Sequence, residues 1–459
     1  MDNILDWARE QAAYAEFGDL RRTNRFIEVL RRAAEAPAGQ LTRVFTRPAE
    51  LQAAYNFMEG AVPPRAIIDA FASATLAALD QPSVYVVVDG TSLSLTDRSG
   101  VKDFGSVGVR SLPTRGLKVI DAVAVSERGV PAGLLDLHFW ARLEKSQASR
   151  FERRRDGDTE VRHWLDVIAG VKERALAAGV RPHFIIDREA DCADMLRAVA
   201  AEDGEFTIRA GQYGRLCVDG TTKRSLLQTM RRSRVVATRD LHVPRSAGRP
   251  PRVASLEIRH ARVVLDLPDR HAGTRVRTPL EVSVVWARER RPPRGQERLD
   301  WMLFTSTPIG SRKAAAAVLD RYCLRWRVED FHRTWKQGRC CVEDTQLRNA
   351  DHVIRWATML ASVALRIERL KHLARTEPDS PASVELKPME LDALRAVKAP
   401  ASGADEMPTI RVAVRWIAEM GGFHGPRDKD PGAQTLGRGL ERLLVFAQGF
   451  ALGRKVARK

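Results

Sequence analysis

One stretch constrains this chain more than any other: YCLRWRVEDFHRTWK, residues 322–336. It holds neither Gly nor Pro, so a helix can run through it. At about 100° per residue, Tyr322, Arg325, Glu329 and Lys336 stand at spacings of three, four and seven and share a stripe roughly 60° wide. Trp326 and Arg333 lie on the same side, and Leu324, Val328, Phe331 and Trp335 make the opposite, apolar face. The expectation is one helix that packs on a core by one side and presents a phenol, a guanidinium, a carboxylate and an ammonium by the other. A solvated face laced with salt bridges is the plain alternative. An indole, however, gains little from facing water.

Upstream, two acidic residues follow apolar runs. The β-branched run at Val84–Val88 reads as a buried strand and ends in Asp89. His183–Ile186 reads as another and ends in Asp187, with a helix expected over 190–201. Strand ends are where α/β folds place ligands. Taken singly, either aspartate could serve a turn, and Asp187 could be a helix N-cap. Three carboxylates brought together with Glu329 would repel one another and need cations. Two Mg²⁺ ions, hard and oxygen-seeking, are the usual answer. Such a pair activates a water or a 3′-hydroxyl for in-line phosphoryl displacement.

The pattern along the chain divides it in three. Residues 1–78 read as helices over 5–17, 19–36, 48–60 and 66–79, with Gly18-Asp19 as break and N-cap and Arg21, Arg22 and Arg25 on a basic face. Residues 79–375 carry the strands: 84–88, 92–96, 117–126, 130–140, 183–186, 206–210 and 301–305. A loop is expected over 97–116 and a helix over 163–179. Within this part, about 211–303 alternates in short stretches between Arg-, Pro- and Gly-rich turns and reads as a β-rich insertion. Ser311 opens a helix into the key stretch, and 355–375 reads as a long amphipathic helix. Residues 376–459 begin with a proline-bearing, linker-like segment over 376–408 holding a short helix. A helical end follows, interrupted at Gly421-Gly422 and at GPRDKDPG.

Lys plus Arg number 75 and Asp plus Glu 58, so the net charge is 75 − 58 = +17, spread along the 459 residues. A polyanion, nucleic acid first, is the natural partner of such a chain, though an Arg- and Ala-rich proteome could also give it. The five cysteines are odd in number and form no CxxC pair. Neither a disulfide framework nor a zinc site is expected, and a reducing cytosol fits. No run of apolar residues is long enough to span a membrane, and the N-terminus shows no export signal.

Together, YVVVDGTSLSLT, FIIDREAD and YCLRWRVEDFHRTWK resemble the DDE transposases of bacterial cut-and-paste elements, nearest the transposon-five type and its insertion-sequence relatives. Tyr322, Arg325, Glu329 and Lys336 match that family's Tyr-Arg-Glu-Lys signature without departure. FGDLRRTNR and YNFMEG are similar to its DNA-binding domain, and MGGF with the following helix to its dimerisation region. GRCCVEDTQLRN departs from the pattern in detail.

The resemblance implies an RNase H-like catalytic core with a β-rich insertion, flanked by all-helical N- and C-terminal domains. It implies Asp89, Asp187 and Glu329 as catalytic residues holding two Mg²⁺ ions, with Mn²⁺ able to substitute. Tyr322, Arg325 and Lys336 would hold phosphates near the cut end, which suits a phenol donor, a forked guanidinium and a point charge. Trp301 matches the position that receives a flipped base, Trp326 would stack beside it, and Arg209 matches an arginine near the active site. Arg333, Arg21, Arg22 and Arg25 complete the expected DNA contacts. The implied partners are double-stranded DNA, as inverted-repeat ends and target, and a second copy of the chain in a synaptic dimer, in the bacterial cytoplasm at the nucleoid. Two rivals stay open: an RNase H-like nuclease without strand transfer, and a non-catalytic DNA-binding inhibitor from a decayed element.

Overall fold

The computed structural model describes residues 3–108, 114–142, 159–243, 250–268, 276–399, 406–426 and 429–457. The expected loop over 97–116, the segment 376–408 and the GPRDKDPG turn have parts, at 109–113, 400–405 and 427–428, that lie outside the described residues. The chain is mixed α/β, helical at its N- and C-terminal parts and strand-rich between them. It divides into two compact units, one made of Met1–Pro82, Gly90–Gly157 and Arg327–Lys459, the other of Ser83–Asp89 and Asp158–Trp326.

In the second unit, apolar β-branched runs form a continuous sheet. β1 (Ser83–Ser94) contributes its first half, whose Val84, Val86, Val87 and Val88 are buried. It pairs in parallel with β5 (Arg181–Ile186), which pairs in parallel with β6 (Glu205–Arg209). β12 (Asp300–Thr305) joins β6 antiparallel, followed by β11 (Arg277–Glu289), β10 (Arg252–Pro268), β7 (Leu216–Asp219) and β8 (Thr222–Ser225). β9 (Val235–Val243) pairs with β10. The β-rich segment is therefore no separate lobe: β11 hydrogen-bonds to β12 along six register pairs from Ser283↔Thr305 to Arg288↔Asp300. It also holds a helix not foreseen, Leu226–Arg232, started by a capping box of Ser225 and Gln228.

In the first unit, β2 (Gly105–Ser106), β3 (Arg115–Val125) and β4 (Pro131–Trp140) pair antiparallel. The N-terminal helices are Asn3–Gln11, Leu20–Glu35, Leu41–Val44, Pro48–Met58 and Pro64–Ala77. The first stops six residues short of the expected Phe17, in a turn before Gly18 at φ 71°. Asp19 caps the second as expected, accepting from the Arg21 N–H at 2.8 Å. The helix Ala350–Thr376 differs from expectation in kind. It is buried on almost every side rather than amphipathic, and even Arg355, Arg366, Glu368, Lys371 and His372 are buried. Partners offset the cost of burying these charges. Arg355 donates to the carbonyls of Val62 and Met58, both at 2.7 Å, and Arg366 to Glu390 at 2.6 Å. The segment after it is packed rather than linker-like, with Leu386, Leu391 and Leu394 buried about the helix Pro388–Lys398. Helices Ile410–Met420 and Ala433–Ala457 follow.

The key stretch is two helices, not one. Arg312–Cys323 opens on Ser311, whose hydroxyl accepts from the Ala314 N–H at 3.1 Å, and ends at a turn through Leu324 and Arg325. Trp326–Lys336 then begins. The N–H groups of Leu324 and Arg325 bond three residues back, to the carbonyls of Arg321 and Tyr322 at 3.0 Å each. A turn of that kind advances about 120° per residue instead of 100°. Tyr322 and Arg325 thus precede the helix that carries Glu329, Arg333 and Lys336. Among the described residues, no helix is long and apolar enough to cross a membrane.

Candidate active site

Register places the two aspartates. Val88 of β1 pairs with Ile186 of β5, so Asp89 and Asp187 are the next residues on adjacent parallel strands, whose backbones lie about 4.8 Å apart. Asp187 also opens a short 3₁₀ turn, Arg188–Ala190, but its side chain makes no capping hydrogen bond there. It accepts from the Tyr322 hydroxyl at 3.0 Å and lies 3.6 Å from the Arg209 guanidinium. Arg325 sits 3.5 Å from Asp89.

These contacts set the charge state. Burial works to raise the Asp187 carboxyl, but Arg325, the Arg188 backbone N–H, Arg209 and the Tyr322 phenol outweigh it and hold it below the ordinary value. Burial, reinforced by Asp187, pushes the Tyr322 phenol up, so at neutral pH it is a donor facing an ionised acceptor. Tyr322 is 3% exposed, and its hydroxyl is turned to Asp187 rather than to open solvent. Trp301, 7% exposed, stands edge-on to both Tyr322 and Trp326, with ring centroids 5.6 and 5.8 Å away. The expected stacking of Trp326 on Trp301 is a T-shaped contact instead. Asp89, Asp187, Arg209, Trp301, Tyr322, Arg325 and Trp326 all belong to the second unit.

Glu329, Arg333 and Lys336 belong to the first unit. Their helix buries Val328, Phe331 and Trp335, and Glu329 is exposed. Polar bonds fix it at successive turns. Arg327 donates to the Gly129 carbonyl at 2.7 Å, His332 meets Asp121 at 2.6 Å, and the Trp335 indole donates to the Ala357 carbonyl at 2.9 Å. Asp330, the neighbour of Glu329, is held by Lys371 at 2.9 Å. Lys336 lies 3.3 Å from the Thr91 hydroxyl and 3.6 Å from Glu343. Arg333 pairs with Asp330 at 3.1 Å and is otherwise exposed. Arg21, Arg22 and Arg25 line a depression of about 400 Å³ with Asn56 and Phe57 in the same unit.

The sequence offered two adjacent acids, Glu329 and Asp330, and the fold separates them. Burial works to raise Asp330, but His372 and Lys371 hold its carboxyl well below the ordinary value. Asp330, Glu368 and His372 bring their ligand atoms within 4.8 Å of one another, close enough to share a metal. Lys371, however, lies against both carboxylates, so an ammonium already supplies the cation. This cluster contains neither aspartate of the strand ends. Asp89 and Asp187 better fit Mg²⁺: hard oxygen donors, one of them held ionised, at the carboxyl ends of parallel strands.

Sequence reasoning missed Glu343, Asp330 and Asp191. Asp191 is buried and accepts from the N–H groups of Gly211 and Gln212 at 2.8 Å each, tying down the start of the β-rich segment. Its place in DREAD was the available signal. Glu343 had none, because the chain leaves helical periodicity before it.

Three family models match the chain: a transposase DNA-binding domain over residues 4–61, a transposase DDE domain over 157–366, and the transposase Tn5 dimerisation domain over 362–458. The DDE match begins after Asp89 and takes in Asp187 and Glu329. The DDE and dimerisation matches overlap inside the helix Ala350–Thr376. In order and in kind, the three together establish that the chain belongs to the DDE transposases of the Tn5 type, with DNA-binding, catalytic and dimerisation parts.

Proposed function

We propose that this transposase binds the inverted-repeat ends of its element through residues 1–78 and cuts them in an RNase H-like core within 79–375. We further propose that it pairs as a homodimer through 376–459. The observation that carries the reading is the pair Asp89 and Asp187 leaving register-paired parallel strands, with Arg325, Arg209 and Tyr322 converging on them. Glu329 is the third acid, placed on a helix tethered at successive turns. Asp89, Asp187 and Glu329 would hold two Mg²⁺ ions, which supply Lewis acidity for attack on a phosphodiester and for departure of the leaving oxygen.

The chain's own residues do the rest. Arg325, Arg209 and the Tyr322 phenol keep Asp187 anionic without neutralising it. Arg325 and Lys336 offer the guanidinium and ammonium that a phosphate requires. Trp301, flanked by two aromatic rings, suits a base turned out of its stack, where stacking returns roughly 1–3 kcal/mol. In the reaction sequence, water first breaks one strand and frees a 3′-hydroxyl. That hydroxyl attacks the opposite strand to close a hairpin and displaces the flanking DNA. Water reopens the hairpin, and both 3′ ends join target DNA. Such a protein works at the bacterial nucleoid.

The test is a cleavage assay on a labelled duplex carrying the terminal repeat beside its flank, with Mg²⁺ or EDTA. The expected result is a Mg²⁺-dependent cut at the repeat boundary that passes through a hairpin and is lost in Asp187→Ala and Glu329→Ala. Cuts without a hairpin would favour a nuclease. Specific binding without any cut would favour a decayed, inhibitory protein.

A further inference from the structure

We infer that Glu343 is a positioning residue that acts through Lys336, an inference that rests on the reading of Lys336 as a phosphate contact. Glu343 stands on the 3₁₀ turn Val342–Asp344, just past the helix that carries Lys336. It is brought there by an unusual backbone. Cys341 adopts φ 45° and ψ 44°, the left-handed region that a residue with a Cβ seldom enters. Strain of this kind collects at functional positions and persists only where the surroundings enforce it. Here they do. A Cβ on Gly39 would come within 2.1 Å of the Cys341 carbonyl oxygen, and the Gly39 carbonyl is itself held by the Trp356 indole at 2.8 Å. On the other side of the bend Cys340 is fully buried, its thiol 3.5 Å from the Leu360 carbonyl.

The bend returns Glu343 to Lys336 with both carboxylate oxygens occupied. One accepts from the Ser94 N–H at 2.8 Å and the other from the Gln337 amide at 3.3 Å. The Glu343 side chain is 13% exposed, and the Lys336 ammonium lies 3.6 Å from it. That separation exceeds the roughly 2.7–2.9 Å of a tight charged hydrogen bond. The ammonium is therefore directed by the carboxylate and by Thr91 while it stays available to a phosphate. Thr91 and Ser94 both lie on β1 beyond Asp89. Glu343 thus ties the carrier of Lys336 to the second half of β1. A long, flexible lysine would arrive at DNA already aimed, which lowers the ordering cost of the contact.

The experiment is a double-mutant cycle on single-turnover cleavage of the terminal-repeat duplex in Mg²⁺, using the full chain: wild type, Glu343→Gln, Lys336→Met and both together. Gln keeps an oxygen for the Ser94 N–H, and Glu343→Asp serves as the conservative rescue. Glu343→Gln is expected to slow cleavage at saturating DNA roughly tenfold with end-binding affinity and melting temperature little changed. Glu343→Asp should recover part of the rate, and Glu343→Gln should have no further effect once Lys336 is Met. The same loss from Glu343→Gln in both backgrounds would overturn the inference, because Glu343 would then act on the fold and not through Lys336. A lowered melting temperature that accounts for the loss would overturn it too. A wild-type chain that binds the end but cuts nothing would overturn the transposase reading itself, and this inference with it.

Discussion

Replacing Lys371 by Met is the sharpest probe of how the Glu329 helix is held. Lys371 lies 2.9 Å from Asp330 and against Glu368, with side-chain exposures of 7%, 22% and 1% respectively. Met keeps the length and apolar stem of lysine and deletes only the cation. The two carboxylates would then face each other across a buried space, where removing one partner of a charge pair costs about 3–5 kcal/mol. Asp330 retains Arg333 and some water, and Glu368 retains the Thr334 hydroxyl. The loss should therefore sit near the lower bound, about 3 kcal/mol. With Lys371 in place, burial pushes the His372 imidazole down to about 4, so at neutral pH the ammonium and not the imidazole is the cation of the cluster. With an unfolding entropy of about 2.1 cal/mol/K per residue, a loss of that size lowers the melting temperature of a unit as large as the first by roughly 5 °C. Adding Glu368→Gln should recover much of it by removing the repulsion. Thermal melting by circular dichroism, with a cleavage assay alongside, reads both effects. A Lys371→Met variant that melts with wild type would refute the view that this ammonium is the cation of the cluster. A bound metal would then have to be sought there.

Other outcomes follow from local geometry. Tyr322→Phe removes the hydroxyl that donates to Asp187; cleavage should fall roughly tenfold while the fold holds, since hydrogen bonds to charged groups contribute about 1.5–3 kcal/mol. Cys341→Gly should leave stability equal or raised by up to about 1 kcal/mol because glycine accepts the left-handed backbone freely, whereas Cys341→Val should lower it, both read by urea titration. His183 is buried against Glu205, Thr207, Arg321 and the Tyr85 ring, and burial holds its imidazole below the ordinary value of about 6.5. The unfolded chain therefore takes up a proton first as pH falls below about 6.5, so stability is full above that pH and declines beneath it. His183→Gln should flatten the slope between pH 7 and 5 in thermal melts. Gly116→Ala should be among the most damaging single changes, because the added Cβ would meet the Leu93 carbonyl oxygen at 1.8 Å, and loss of soluble protein is the expected readout.

The strand-end acids were legible because their signal is local. A β-branched run followed by Asp needs no distant partner to be recognised, and Val88↔Ile186 then puts the two runs side by side. Asp19 and Ser311 were legible as caps for the same reason. The helix break at Leu324 was not, since nothing in YCLRW disfavours helix and the two tightened bonds decide it. The central helix was misread as amphipathic because Arg355 and Arg366 look solvent-bound in sequence. Their partners, the carbonyls near Met58 and the carboxylate of Glu390, lie far off in the chain. Glu343 was hidden by the left-handed residue before it.

The overlap of two family matches inside Ala350–Thr376 bears on how such proteins can be rebuilt. The residues that grip the Glu329 helix, Glu368, Lys371 and His372, lie on the dimerisation side of that overlap. The residues that reach the N-terminal helices, Arg355 and Trp356, lie on the catalytic side. A cut in the chain at the apparent seam would part the helix that carries Glu329 from the residues that hold its Asp330. A joint placed outside this helix would keep both sets of contacts together.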